Sequence, residues 1–278
     1  MPNLPLGAVI AIDFDKWDVD EEIALIQEAG IRRVQIYRNV ARGRPAADIR
    51  ARLDGAGLVA DSMHGYIELE ILDGPAFDLS AETAAARDAA LEIARRETAF
   101  AHGLGCRDII VHPVGPGDTE ADTFREGALA SSAERLARIA EETDARFLVE
   151  NMPPPMFGSD GRLLRRIVDA VRSPHLGLAY DAGHANVVGR PVDTIRDMGP
   201  QLWGVHLHDN DGSDDDHLLP GMGTVPFEAV ARALARVNFG GTFMLEIYRE
   251  TAEVRRDLTP ARLAFIDRLR RLASGLER

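Results

Sequence analysis

Eight short apolar runs, each followed by a stretch with helical spacing, recur between residues 7 and 273, and this alternation constrains the fold more than any other feature. Strand-length runs separated by amphipathic helices cannot close as hairpins; they require crossover connections and a parallel sheet. The runs lie at 7–12, 33–37, 57–63, 107–111, 146–149, 176–180, 203–207 and 242–245. Helices are expected at 19–29, 45–53, 80–103, 124–142, 161–171, 191–198, 226–237 and 260–273. Asp18 or Asp20 is the expected cap of the first helix and Gly30 its stop, Ser80 opens the long third helix, and Pro226 stands at a first-turn position. The prolines of NMPPPMFGSDG, residues 151–161, keep that stretch out of a helix. Eight strand and helix pairs without a linker or a break in composition read as one domain over residues 1–278, a single (β/α)8 TIM barrel, with a doubly wound open sheet as the alternative.

The chain has 278 residues, about the size at which such a barrel closes on a full core. A net charge of −13 sets the global field against phosphate backbones, so a nucleic-acid partner would need a local basic patch. Cys106 is the only cysteine, which excludes an internal disulfide and a thiolate-rich zinc site; just before a strand, it reads as buried and inert. Lys16 is the only lysine, so Schiff-base chemistry would have to use it. The first residues carry no basic segment and only about seven apolar residues in a row, too few for a signal peptide or a membrane span, so a cytoplasmic protein is expected.

Chemistry-bearing residues gather at the strand ends. His64, His112, Glu150, Asp181, His206 and Glu246 each fall at or next to the C-terminal end of an expected strand, where a barrel of this kind builds its site. The loop after the seventh strand adds Asp209, Asp211, Asp214, Asp215, Asp216 and His217 within nine positions. Imidazole and carboxylate are the ligands divalent metals prefer. Asp181 and His184 form D-A-G-H, in which the glycine can let both side chains turn to one pocket, and His217 pairs similarly with Asp215 or Asp216. Short polar clusters in loops are more often turn chemistry, so the convergence of six strand ends carries the inference, and no single pair does.

The ordered motifs H-G-Y (64–66), V-H-P (111–113), V-E-N (149–151), D-A-G-H (181–184), H-L-H-D (206–209), D-D-H-L-L-P-G-M-G (215–223) and L-E-I (245–247) resemble the xylose-isomerase-like barrel superfamily, in particular its sugar-phosphate isomerase/epimerase branch and the related endonuclease IV. The resemblance implies a central metal on Glu150, Asp181, His206 and Glu246. In the endonuclease IV pattern further ions would use His64 and His112 with the shared Glu150, and His184 with Asp215 and His217. One to three ions of Mn²⁺, Zn²⁺ or Mg²⁺ are therefore expected, the mixed ligand set suiting manganese and zinc better than magnesium.

The function so implied is isomerisation or epimerisation of a small sugar, sugar phosphate or related hydroxy-carbonyl compound through an enediolate, with Glu150 and Glu246 as acid/base partners. His64, His112, His184 and His208, with Arg38 and Arg249, are the expected substrate contacts; a solvated surface position is the plainer reading of both arginines. The alternative is a multi-metal phosphodiesterase resembling endonuclease IV. Two features depart from the family. The Glu-x-Lys pattern of true xylose isomerases is absent, Glu150 being followed by Asn151, Met152 and Pro153. The arginine that follows the strand-seven histidine in ketose 3-epimerases has no counterpart between Gly204 and Ala231. Trp17, Tyr37, Tyr66, Met152, Phe157 and Tyr248 are candidates to wall the pocket or to cover a contact in a homo-oligomer, and His102 and His175 read as structural.

Overall fold

The computed structural model describes residues 3–10, 19–38, 44–65, 76–115 and 123–277. Eight strands run in chain order: β1 Leu6–Ile10, β2 Arg33–Tyr37, β3 Val59–His64, β4 Asp108–Val111, β5 Arg146–Glu150, β6 Leu176–Asp181, β7 Leu202–His206 and β8 Phe243–Leu245. Each pairs in parallel with the next from β1 to β7, and β1 also pairs with β8. The remaining seam is closed by Leu207, whose N–H donates to the Met244 carbonyl at 2.9 Å while its own carbonyl accepts from Glu246 N at 3.3 Å. The sheet is thus a barrel, and the open doubly wound alternative is set aside.

The described helices are α1 Val19–Glu28, α2 Ala46–Gly55, α3 Ala84–Leu104, α4 Thr123–Thr143, α5 Gly161–Val171, α6 Ala182–Val187, α7 Pro191–Met198, α8 Phe227–Arg236, α9 Thr251–Asp257 and α10 Pro260–Ala273. Their apolar stripes, such as Leu91 and Ala94 on α3, Leu136 and Ala140 on α4, and Ile266 and Leu269 on α10, pack against the outer face of the strands in one continuous core. Two helices escaped the sequence pattern. α6 is a six-residue turn too short to show a period, and α9 buries only Thr251, so neither carries an apolar stripe. The opening of α3 also differs from expectation: Thr83 is its cap, accepting from Ala86 N at 3.2 Å, while Ser80 is held in the preceding turn by Asp78. Residues 11 and 12 of the expected first strand, together with Lys16, Trp17, Asp18 and Tyr66, lie outside the described residues. Among the described residues no helix is long and apolar enough to cross a membrane.

Alternation along the strands sorts the barrel interior into layers, because every second side chain points inward. At the N-terminal end stand Arg33, Asp108 and Arg146, paired with or beside Asp61 and Trp203. Two residues on come Gln35, Ser62, Ile110, Leu148, Ala179, Gly204 and Met244, of which Ile110, Leu148 and Ala179 form a small apolar cluster against Trp203. Two further on, at the C-terminal end, come Tyr37, His64, His112, Glu150, Asp181, His206 and Glu246. The apolar middle layer separates two polar ends, and Gln35 with Ser62 is the polar interruption in it.

Candidate metal centre and active site

β3, β5, β6 and β7 end on His64, Glu150, Asp181 and His206 themselves, and His112 and Glu246 directly follow β4 and β8. Six positions expected at strand ends therefore lie on one rim. His206 is at the centre. Its Nδ1 is 2.7 Å from Glu150 Oε1, 3.2 Å from Glu246 Oε2 and 3.9 Å from Asp181 Oδ2. Its Nε2 faces the other way, 2.8 Å from Gln35 Oε1. The second oxygen of Glu150 meets His64 Nε2 at 3.2 Å and His112 Nε2 at 3.4 Å. Glu246 accepts a hydrogen bond from the Tyr37 hydroxyl, and the Tyr37 ring stacks on His64 with centroids 4.5 Å apart.

A second group of side chains adjoins the first through Asp181. Its carboxylate caps α6, accepting from His184 N at 2.6 Å, and it lies 3.0 and 3.1 Å from His208 Nε2. Asn151, directly after β5, clamps the same residue, accepting from Asp181 N at 2.8 Å and donating to its carbonyl at 3.2 Å. In D-A-G-H the glycine serves a different purpose from the backbone relaxation expected. A Cβ on Gly183 would stand 1.9 Å from the His208 ring, so the position must be empty for that ring to reach Asp181. His184 Nδ1 donates to the Asn151 carbonyl at 2.8 Å, which turns Nε2 toward Asp215 at 3.2 Å; His217 Nε2 meets the same Asp215 oxygen at 3.0 Å. Asp215, not Asp216, is thus the partner of His217, and Asp216 is exposed with Asp211 and Asp214.

The loop that carries Asp215 and His217 is folded around the fully buried Asp209. Its carboxylate accepts from the backbone N–H groups of Asn210, Gly221, Gly223 and Val225 at 2.8 to 3.0 Å, so one side chain gathers both ends of the loop. Gly223 is required there, since a Cβ would lie 2.1 Å from the Asn210 carbonyl oxygen. His217 is held at φ +49°, in the left-handed region that non-glycine residues seldom adopt.

Electrostatics at this rim are dominated by crowded acids. Burial alone would lower His206, but Glu246, Glu150 and Asp181 outweigh it and raise the imidazole to about 9. Burial likewise opposes the shift at His217, which Asp215 and Glu246 carry to about 9, and at His184, which Asp181 and Asp215 push well above its ordinary value. For His64 burial prevails and the ring is lowered toward neutrality. Burial would raise Glu150, yet His206, His112 and His64 hold it well below the usual carboxylate range. Tyr37 is pushed well above 10 by burial and by Glu246 and Glu150, so it remains a donor.

Arg38 and Arg249 sit apart from this cluster. Arg38 donates to Glu97 of α3 at 2.9 Å and lies over the Phe100 ring, and Arg249 pairs with Glu253 and Asp257 of α9, each at 3.1 Å. Tyr248 is half-exposed with its ring 6.0 Å from that of His217, whereas Met152 and Phe157 are buried in the core. His175 donates to the Ala145 carbonyl and His102 is exposed at the end of α3, away from the rim. Cys106 is buried and its thiol is pushed up to about 12 by burial, in keeping with an inert side chain. Gln35, Ser62 and Asn151 were not singled out from sequence; the polar Gln35 between Val34 and Ile36, on the inward parity of Arg33 and Tyr37, is the signal that could have found the first.

A divalent ion fits this arrangement. Ligand atoms of Glu150, Asp181, His206 and Glu246 all lie within 4.8 Å of one another, and among the described residues their charged partners are histidines and no arginine. Three carboxylates converging on one imidazole nitrogen are a donor set that a cation would complete. A family model described as a xylose isomerase-like TIM barrel matches residues 23–271. The chain belongs to this family. Among curated relatives, an uncharacterised protein of Methanocaldococcus jannaschii is 34% identical over 121 residues, 42% of this chain and 41% of that one. An inosose isomerase of Bacillus velezensis is 25% identical over 157 residues, 52% and 55% of the two chains. The chain thus spans about half the length of the curated relatives it matches. Among solved structures, a D-tagatose 3-epimerase-like protein superposes with a TM-score of 0.74 at 21% identity, covering 95% of this chain and 99% of that one. The 3-keto-D-glucoside 4-epimerase of E. coli gives 0.73 at 17% identity, covering 95% and 98%. At these identities the likeness establishes the fold, and the neighbours within it include sugar epimerases.

Proposed function

We propose that this family member is a divalent-metal-dependent isomerase or epimerase of a small sugar or sugar-derived hydroxy-carbonyl compound. The observation that carries the reading is the convergence of Glu150, Asp181, His206 and Glu246 from four strands on one point of the C-terminal rim. An ion held there would supply Lewis acidity, lowering the cost of negative charge on substrate oxygens. Glu150 and Glu246 come from strands three apart around the barrel and so address a substrate from different sides. One carboxylate takes the proton from the carbon beside a carbonyl, the C–H electron pair passing to the carbonyl oxygen as an enediolate forms. The other returns a proton to the opposite face for epimerisation; for isomerisation the proton goes to the neighbouring carbon while the hydroxyl proton of the enediolate passes to the former carbonyl oxygen, leaving the new carbonyl on the carbon first deprotonated. Tyr37, kept protonated, orients Glu246 through its hydroxyl. His64, His112, His184 and His208 are the proposed hydrogen-bonding contacts for substrate hydroxyls. The test is exchange in D2O with a panel of ketoses and aldoses: turnover should place deuterium on the carbon beside the carbonyl, and Glu150→Gln should abolish it with the fold intact. Product formed without solvent deuterium would remove the proton-transfer role of Glu150 and Glu246.

One observation favours a second reading, hydrolysis of a phosphodiester by several ions. The groups His64, His112 and Glu150, and Asp181, His184 and His208, each bring ligand atoms within 4.8 Å of one another, and Asp215 bridges His184 and His217. Three ions per chain with release of a phosphomonoester from a small diester or abasic DNA would support it.

A further inference from the structure

The middle layer of the barrel is apolar except for Gln35 and Ser62, both buried, and both reach the inner end of a cavity of about 440 Å³ that opens at the N-terminal mouth. The Gln35 amide therefore stands between that cavity and His206 on the metal rim. A polar side chain in such a layer loses its hydration on folding and is retained only where its hydrogen bonds are used.

The bonds are specific. His206 points Nδ1 at Glu150, Glu246 and Asp181 and Nε2 at Gln35 Oε1, 2.8 Å away. A ring that offers Nδ1 as a ligand lone pair must carry its proton on Nε2, and a buried N–H needs an acceptor. An amide can present either its oxygen or its NH₂ group. The Gln35 Nε2 group is engaged by Ser62 Oγ at 2.9 Å, which leaves the oxygen for His206.

We propose that Gln35, oriented by Ser62, is a positioning residue of the metal centre: it fixes the proton of His206 on Nε2 and so makes Nδ1 the ligating nitrogen. The proposal rests on the metal reading above and adds which atom of His206 is used and what sets it. Removal of such an outer partner weakens metal binding about 10 to 100-fold, because the ring is then free to turn or to hold the wrong tautomer. Ser62→Ala should have a smaller effect of the same sign, since it frees the amide without removing the acceptor.

The experiment measures Mn²⁺ and Zn²⁺ affinity by chelator competition for wild type, Gln35→Leu, Gln35→Glu and Ser62→Ala. It is paired with ¹⁵N spectra of histidine-labelled, zinc-loaded wild type, with His206 assigned by the loss of its signals in His206→Asn. Gln35→Leu should bind about 10 to 100-fold more weakly with an unchanged melting temperature in metal-free buffer. Gln35→Glu, whose carboxylate still accepts from Nε2–H, should recover most of the affinity, a rescue that a purely structural role would not produce. The wild-type spectrum should show His206 protonated at Nε2 and metal-bound at Nδ1, and needs no variant at position 35 to fold. Affinity unchanged in Gln35→Leu, or zinc on Nε2, overturns the proposal while leaving the metal reading standing. A wild type that binds neither ion at this centre overturns both.

Discussion

At the N-terminal end of the barrel interior Arg146 closes on both oxygens of Asp108, at 2.6 and 2.5 Å, and Arg33 closes on Asp61 at 2.5 Å. At the C-terminal end Glu150, Asp181 and Glu246 face one another with histidines between them and, among the described residues, no arginine. The two ends lie on the same strands and on the same inward parity: Arg146 and Glu150 are both β5 residues, with Leu148 between them. Where an acid meets its arginine the charge is settled within the chain and the pair serves stability. Where acids meet acids, the chain leaves a demand for positive charge that protons on His206 and His217 satisfy, and that the proposed divalent ion would satisfy in their place.

The sharpest way to break this contrast is to neutralise one acid at each end. Glu150→Gln should lower turnover by about 1000-fold or more, whereas Asp108→Asn should leave it unchanged; steady-state rates with circular dichroism as the fold control decide. Equal losses would mean that the two ends are not functionally distinct.

Metal affinity should also depend on pH at one end only. Below about 9 the ion must displace a proton from His206, so affinity should rise about tenfold per pH unit between pH 6.5 and 8.5 and level off above 9. Isothermal titration at four pH values tests this, and Asp108→Asn should not alter the slope. A flat profile would show that no proton is displaced.

Glu22 on α1 is an acid with neither solution: it is buried, and among the described residues its Oε2 has no hydrogen-bond partner. Burial pushes its carboxyl up to about 8 from 4.5, so its contribution is full below pH 4.5 and is lost as pH rises through 8. The loss is about 1.4 kcal/mol per pH unit in that window, roughly 3 kcal/mol between pH 5 and 7. Urea midpoints at both pH values should show that slope in wild type and its absence in Glu22→Gln.

The smallest effect belongs to the N-terminal pair itself. Arg146 is 40% exposed, so solvent screens the ion pair, and Arg146→Met should cost about 1 kcal/mol by chemical denaturation with metal affinity unaffected. A double-mutant cycle with Asp108→Asn isolates the coupling.

Much of this was legible in the sequence, for physical reasons that can be named. β2, α5, α7 and α10 fall at the expected residues because glycine, proline and apolar periodicity mark their limits. The six rim residues were within one position of strand ends because a barrel turns strand ends into a site. What lay beyond sequence was contact across strands. Gln35 and Ser62 are ordinary polar residues until the register brings them together beneath His206. Gly183 is needed for a ring 25 positions away, and Asp209, one acid among several in its loop, is distinguished only by the four N–H groups it gathers. Arg38 and Arg249 follow strand ends, yet their side chains pair with helix carboxylates, a choice that spacing cannot reveal.

The central claim is that Glu150, Asp181, His206 and Glu246 form one metal centre, and the metal content of protein purified without added metal, measured by elemental analysis beside Asp181→Asn, tests it most directly. About one divalent ion per chain is expected in wild type, with loss of that ion in the variant. Three ions per chain, chiefly zinc, would move the function to phosphodiester hydrolysis, and an ion content unchanged by Asp181→Asn would contradict the centre itself.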